Sequence, residues 1–120
     1  MCGIVGLFIK NPALESQLGA LVAPMLAEMT ERGPDSAGIA IYRDPHESGC
    51  KISVLAQHSS FDWNALEVAI KEAFSLKKIA VLHNQAVLFV DSSADEVQDW
   101  LDNNYSELSI TSAGTNIEVF

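Results

Sequence analysis

Lys51-Ile52-Ser53-Val54-Leu55-Ala56 opens the part of the chain whose order of elements decides the fold. The run, with Ile52, Val54 and Leu55, looks like a strand. Outward from it, Phe61 to Phe74 places Trp63, Leu66, Ile70 and Phe74 at helical steps, and Lys78 to His83 and Ala86 to Asp91 read as two further strands. Asn84-Gln85 between those strands is a connection of hairpin length. Ser93-Ala94-Asp95-Glu96 is a capping box, in which a serine and a glutamate three residues later satisfy free backbone donors at a helix start. The helix it opens carries Val97, Trp100, Leu101 and Tyr105 on one side. Leu108 to Thr111 and Asn116 to Phe120 are strand-like. The order β-α-β-β-α-β predicts a ferredoxin-like module, two helices over one face of an antiparallel sheet.

Upstream of Gly49 the pattern differs. Cys2 to Ile9 is rich in Ile, Val, Leu and Phe, with Gly3 and Gly6 interspersed, and reads as a buried strand that a neighbouring backbone or ligand approaches closely. Asn11 is a suitable helix cap with Pro12 at the first helical position. Leu14, Leu18, Leu21, Val22, Met25, Leu26 and Met29 then continue an amphipathic helix to about Arg32, with Pro24 expected to kink it. Gly33-Pro34 closes that helix, Ser36 to Tyr42 is a second strand, and Arg43 to Gly49 is a polar turn. Gly49 is thus the expected boundary, dividing the chain into 1–49 and 50–120. An apolar strand running up to Phe120 leads us to expect a chain cut from a longer one.

Length and composition narrow the function classes. A chain of 120 residues is long enough to bury a core without staples. A formal charge of −9 and seven scattered lysines and arginines argue against a nucleic-acid partner. The segment Gly3 to Ile9 lacks the basic flank and length of a signal peptide, and no apolar run approaches membrane-spanning length. The expected location is cytoplasmic, with Cys2 and Cys50 both reduced. His46, His58, His83 and Cys50 match no zinc spacing, so neither metal nor other cofactor is expected. Trp63 and Trp100 are read as core residues, and Asp95, Glu96, Asp99 and Asp102 as a solvated helix flank.

The chemistry concentrates at the start. With Met1 removed, Cys2 carries a thiol and a free α-amine on one carbon. An α-amine titrates near ~7.7 to 8.0 and can take the proton of an attacking sulfur at neutral pH. On its own a cysteine at position 2 is more often inert, and Arg32-Gly33-Pro34-Asp35 is more often a helix end whose aspartate bonds backbone amides in a turn. Together, Cys2-Gly3-Ile4-Val5-Gly6 and Arg32-Gly33-Pro34-Asp35-Ser36-Ala37-Gly38 resemble the opening of the class II glutamine amidotransferases, a family of N-terminal nucleophile hydrolases.

The resemblance covers about the first 42 residues. It implies the front of an αββα sandwich, Cys2 as the nucleophile, and hydrolysis of the glutamine side-chain amide through a γ-glutamyl thioester. Ammonia would pass to a synthase domain or subunit, and Arg32, Gly33 and Asp35 would wall or bind the substrate site. An inserted module after the second strand further resembles stand-alone amidotransferase subunits of glutamate-synthase-like enzymes, N-methylglutamate synthase types included. The family's Asn-Gly oxyanion motif and glutamine-binding residues have no match between Gly38 and Phe120; His83-Asn84-Gln85 is read as a turn. The chain alone is therefore expected to be inactive. The alternative is a non-catalytic module that binds a small molecule or another subunit.

Overall fold

A computed structural model describes residues 3–120, which form mixed helix and sheet in two compact units, the first reaching Ala37 and the second spanning Gly38–Phe120.

In the first unit, residues 3–9 form no strand. A strand persists only where a neighbour takes its ladder hydrogen bonds, and β1 (Ala40–Tyr42), the other strand expected nearby in sequence, pairs instead with β6 (Ile117–Val119). Ile4 is 95% exposed and Phe8 83%. The expected single helix is three pieces: a 3₁₀ segment Pro12–Gln17, helix α1 (Leu18–Ala27) and a 3₁₀ turn Thr30–Arg32. Asn11 caps it as the sequence suggests, its side chain accepting from Ala13 N at 3.1 Å. Pro24 lies inside α1, and the α geometry ends after Ala27 rather than at the proline. Leu18, Val22, Met25, Leu26 and Met29 are half-buried along one stripe, so the amphipathic spacing holds although none is fully covered.

The second unit is built on a four-stranded antiparallel sheet of order β3-β4-β2-β5, with β2 Cys50–Ala56, β3 Leu76–Leu82, β4 Gln85–Val90 and β5 Leu108–Gly114. Helices α2 (Trp63–Ala73) and α3 (Ala94–Asn104) stand between strands in the chain order the sequence predicts. Asp62 caps α2 by accepting from the amides of Asn64 and Ala65, and Ser93 caps α3 by accepting from Glu96 N. Each such cap contributes about 1 kcal/mol. Ile52, Val54, Leu66, Ile70, Leu88, Val90, Val97 and Leu101 form the core. Trp63, Phe74, Trp100 and Tyr105 pack around it, with the Phe74 and Trp100 rings edge to face at 5.8 Å.

The β3–β4 turn is His83-Asn84, one residue earlier than the sequence suggests. His83 takes a left-handed backbone (φ 55°), its carbonyl accepts from the Trp63 indole, and Asn84 exchanges bonds with Ala56. The opposite face of the sheet is covered by β6. Val119 N donates to the buried Ser53 hydroxyl at 2.9 Å, and Lys51 Nζ lies 2.9 Å from Glu118 Oε1 with both residues buried, 3% and 5% exposed.

Asp91 gathers the turn before β2. The Ser48 hydroxyl donates to Asp91 Oδ1, Lys77 Nζ pairs with Oδ2 at 2.9 Å, and His46 Nε2 lies 3.0 Å from Oδ1, near enough for attraction but without hydrogen-bond geometry. The Ser48 hydrogen bond, then the Lys77 bond and charge, hold the Asp91 carboxyl below its ordinary range. A depressed carboxylate stabilises the fold above its unfolded value near ~3.9 and loses that contribution as pH falls through the folded value. Asp91→Asn is therefore expected to flatten the fall in thermal midpoint below about pH 4, read from melting curves between pH 2.5 and 7; an acid limb as steep as wild type would refute the assignment. Gly49 gives a second expectation. A Cβ there would collide with Val90 O and stand 2.7 Å from Asp91 Cα, both backbone atoms that cannot yield cheaply. Gly49→Ala should cost about 1–3 kcal/mol, visible as a denaturation midpoint several degrees below wild type.

Candidate functional site

Cys2, the residue singled out as nucleophile, lies outside the described residues. The residue behind it is described. An added Cβ on Gly3 would run into the Met29 methyl and stand 3.3 Å from Arg32 Cβ and 3.5 Å from Arg32 Cδ. A side chain there would displace the Met29 methyl and press on Arg32, so at Gly3 the backbone passes directly along the side chain that opens the second motif. Gly3 of the first motif and Arg32 of the second are thus neighbours although they lie far apart in sequence. The helical segment between them makes the return: α1 is followed by the Thr30–Arg32 turn, with Thr30 Oγ1 donating to Ala27 O and Arg32 N to Met29 O.

The remaining residues of the second motif are exposed. Gly33 has φ −148°, an extended backbone open to any residue, so the helix end does not use a left-handed glycine. Asp35 makes no hydrogen bond or ion pair among the described residues, so the turn-stabilising role that a lone aspartate suggests is not what holds it. Gly6 differs from Gly3: an added Cβ would meet nothing within 4 Å, and close approach explains only the first of the two glycines.

Elsewhere the titratable residues have structural roles. Cys50 is a free thiol, buried at the start of β2, and burial pushes its pKa up, away from the thiolate a nucleophile needs. Of His83-Asn84-Gln85, read from the sequence as a turn, His83 and Asn84 form the β3–β4 turn and Gln85 begins β4. His46, His58 and His83 do not come together with other ligands in any metal-binding group among the described residues. No helix of the described residues is long and apolar enough to cross a membrane. What the sequence reading missed is a cleft in the second unit that draws in Arg43, Lys51 and Lys78. The sequence signal is partial: Lys51 and Lys78 each sit in a strand beside an inward residue, Ile52 of the core and Ile79 packed against it, but nothing local says that the two strands bring them together.

Comparison with known proteins points the same way as the two motifs. The whole chain aligns, at 38% identity over 121 positions, with the glutamine amidotransferase-like protein GlxB of Rhizobium meliloti, of which it covers 40%. A putative glutamine amidotransferase from Methanothermobacter thermautotrophicus is 52% identical over 42 residues, 35% of this chain and 13% of that protein. Relatives of these names support a glutamine amidotransferase family for the chain. The chain spans well under half the length of either relative. No protein-family model matches it, and no solved structure does.

Proposed function

We propose that the chain is the front portion of a class II glutamine amidotransferase domain, with residues from 50 onward inserted as a ferredoxin-like module. The observation that carries the reading is the packing of Gly3 against Arg32, which sets the residue next to Cys2 beside the motif that resembles the family's second signature. The relatives' names agree, and the sheet order β3-β4-β2-β5 with its two intervening helices supports the ferredoxin-like assignment.

In this reading the Cys2 sulfur attacks the side-chain amide carbon of glutamine. The Cys2 α-amine takes the thiol proton and returns it to the departing nitrogen, which leaves as ammonia; water then hydrolyses the γ-glutamyl thioester to glutamate and free thiol. Arg32 walls and orients the substrate, flanked by Gly33 and Asp35, and the ammonia passes to a synthase domain or subunit. Nothing from Gly38 to Phe120 matches the Asn-Gly pair that would bind the developing oxyanion. Loss of such a donor commonly costs ~10²-fold or more in rate, so these 120 residues alone should be a poor glutaminase.

The test uses the full-length protein. Treatment with a glutamine analogue bearing an electrophile should place one adduct on a peptide that begins at Cys2, and Cys2→Ala should abolish both adduct and glutaminase activity; active protein that retains Met1 would falsify the proposal. A second expectation concerns Gly3. Its Ala variant should push Arg32 aside and lower kcat/KM for glutamine on the order of 10- to 100-fold. The Met29 methyl can swing away, so the melting temperature should move little, and a normal kcat/KM in Gly3→Ala would show that Arg32 placement is unimportant.

A further inference from the structure

In a chain of charge −9, three of the seven lysines and arginines line a single cleft of about 360 Å³ on the sheet face away from the two helices. Arg43, Lys51 and Lys78 share it with Asp44, Phe89 and Glu118. We propose that this cleft is a binding site for a small organic carboxylate, separate from the chemistry assigned to Cys2.

Glu118 organises the cations. Its Oε1 holds Lys51 Nζ at 2.9 Å and its Oε2 lies 3.5 Å from Arg43 Nε, so one buried carboxylate draws two positive groups to the same wall. Lys51 is fixed further by donating to Asp44 O at 3.0 Å. Lys78 has no acidic partner among the described residues; its Nζ lies 5.4 Å from the centre of the Phe89 ring, the same distance as Lys51 Nζ. The cations left to meet a ligand are the exposed Lys78, which has no ion pair among the described residues, and Arg43, whose Nε is 3.5 Å from a Glu118 already bonded to Lys51. An anion is the ligand that they would attract.

Size and lining choose the kind of anion. The volume falls at the small end of ligand pockets, which run ~300–1,000 Å³. Phe89 supplies an apolar wall beside the charges, a surface that suits a short carbon chain and gives nothing to inorganic phosphate. The site thus matches a monocarboxylate of a few carbons, its head on Lys78 and Arg43 and its tail along Phe89.

The probe is butyrate, titrated by calorimetry into the full-length protein, with inorganic phosphate in parallel. Butyrate should bind, Lys78→Glu should weaken it at least tenfold, and Cys2→Ala should leave it unchanged, which separates this site from the glutaminase reading. Lys78 is exposed, so its variant should fold; should its melting curve be abnormal, Arg43→Gln is read instead, with a loss in the same direction. Absence of butyrate binding, equal affinity in the Lys78 and Arg43 variants, dependence on Cys2, or phosphate binding as tightly as butyrate each overturns the proposal.

Discussion

The seating of β6 on the sheet of the second unit uses an ion pair that elementary electrostatics would discourage. Removing the Lys51 ammonium and the Glu118 carboxylate from water costs several kcal/mol per ion, and their attraction offsets this only when the remaining hydrogen-bonding capacity is used as well. Here it is used: Lys51 also donates to Asp44 O, and Glu118 also faces Arg43. The pair fastens β6 to the central strand β2, and the bond from Val119 N to Ser53 adds a second fastening two positions along β2. Because β1 pairs with β6, and the carbonyls of Thr115 and Asn116 accept from His46 and Arg43, the segment from β1 to β2 is held in turn. The cleft is a product of the same contact. Glu118 cannot hold Lys51 and Arg43 without bringing their charges to one wall.

Local patterns were legible wherever local physics decides. The caps at Asn11 and Ser93, the helical stripes of α2 and α3, and the strand at β2 all follow from spacing and hydrogen-bonding chemistry within a few residues. Long-range pairing was not. Nothing near Ala40 announces Val119 as its partner, and the apolar run from Gly3 to Ile9 looks like a strand from its composition but finds no ladder among the described residues. Polar side chains also mislead at β2. Lys51 and Ser53 occupy the positions that face solvent in a two-layer module, yet β6 covers them and both are buried.

The candidate site divides along the same line. Residue types and order led the sequence reading to Cys2 and Arg32, and the geometry adds that a side chain at position 3 would displace the Met29 methyl and press on Arg32. The cations of the cleft were visible individually and looked scattered, because Arg43, Lys51 and Lys78 lie on separate segments. Only pairing β2 to β4 and β4 to β3 gathers two of them around Phe89.

Lys51 and Glu118 stand 67 residues apart in sequence. Contacts of such separation must close a long loop before they return any stabilisation, which slows folding relative to local helix formation. On the ribosome, α2 and the β3–β4 hairpin can form early, while Lys51 and Ser53 await a strand not yet made. Until Glu118 emerges, the polar face of β2 lacks its cover and β1 lacks its partner strand, although Asp91 can already hold the turn before β2. Completion of this unit is therefore timed by synthesis of β6, whatever the speed of the sheet behind it.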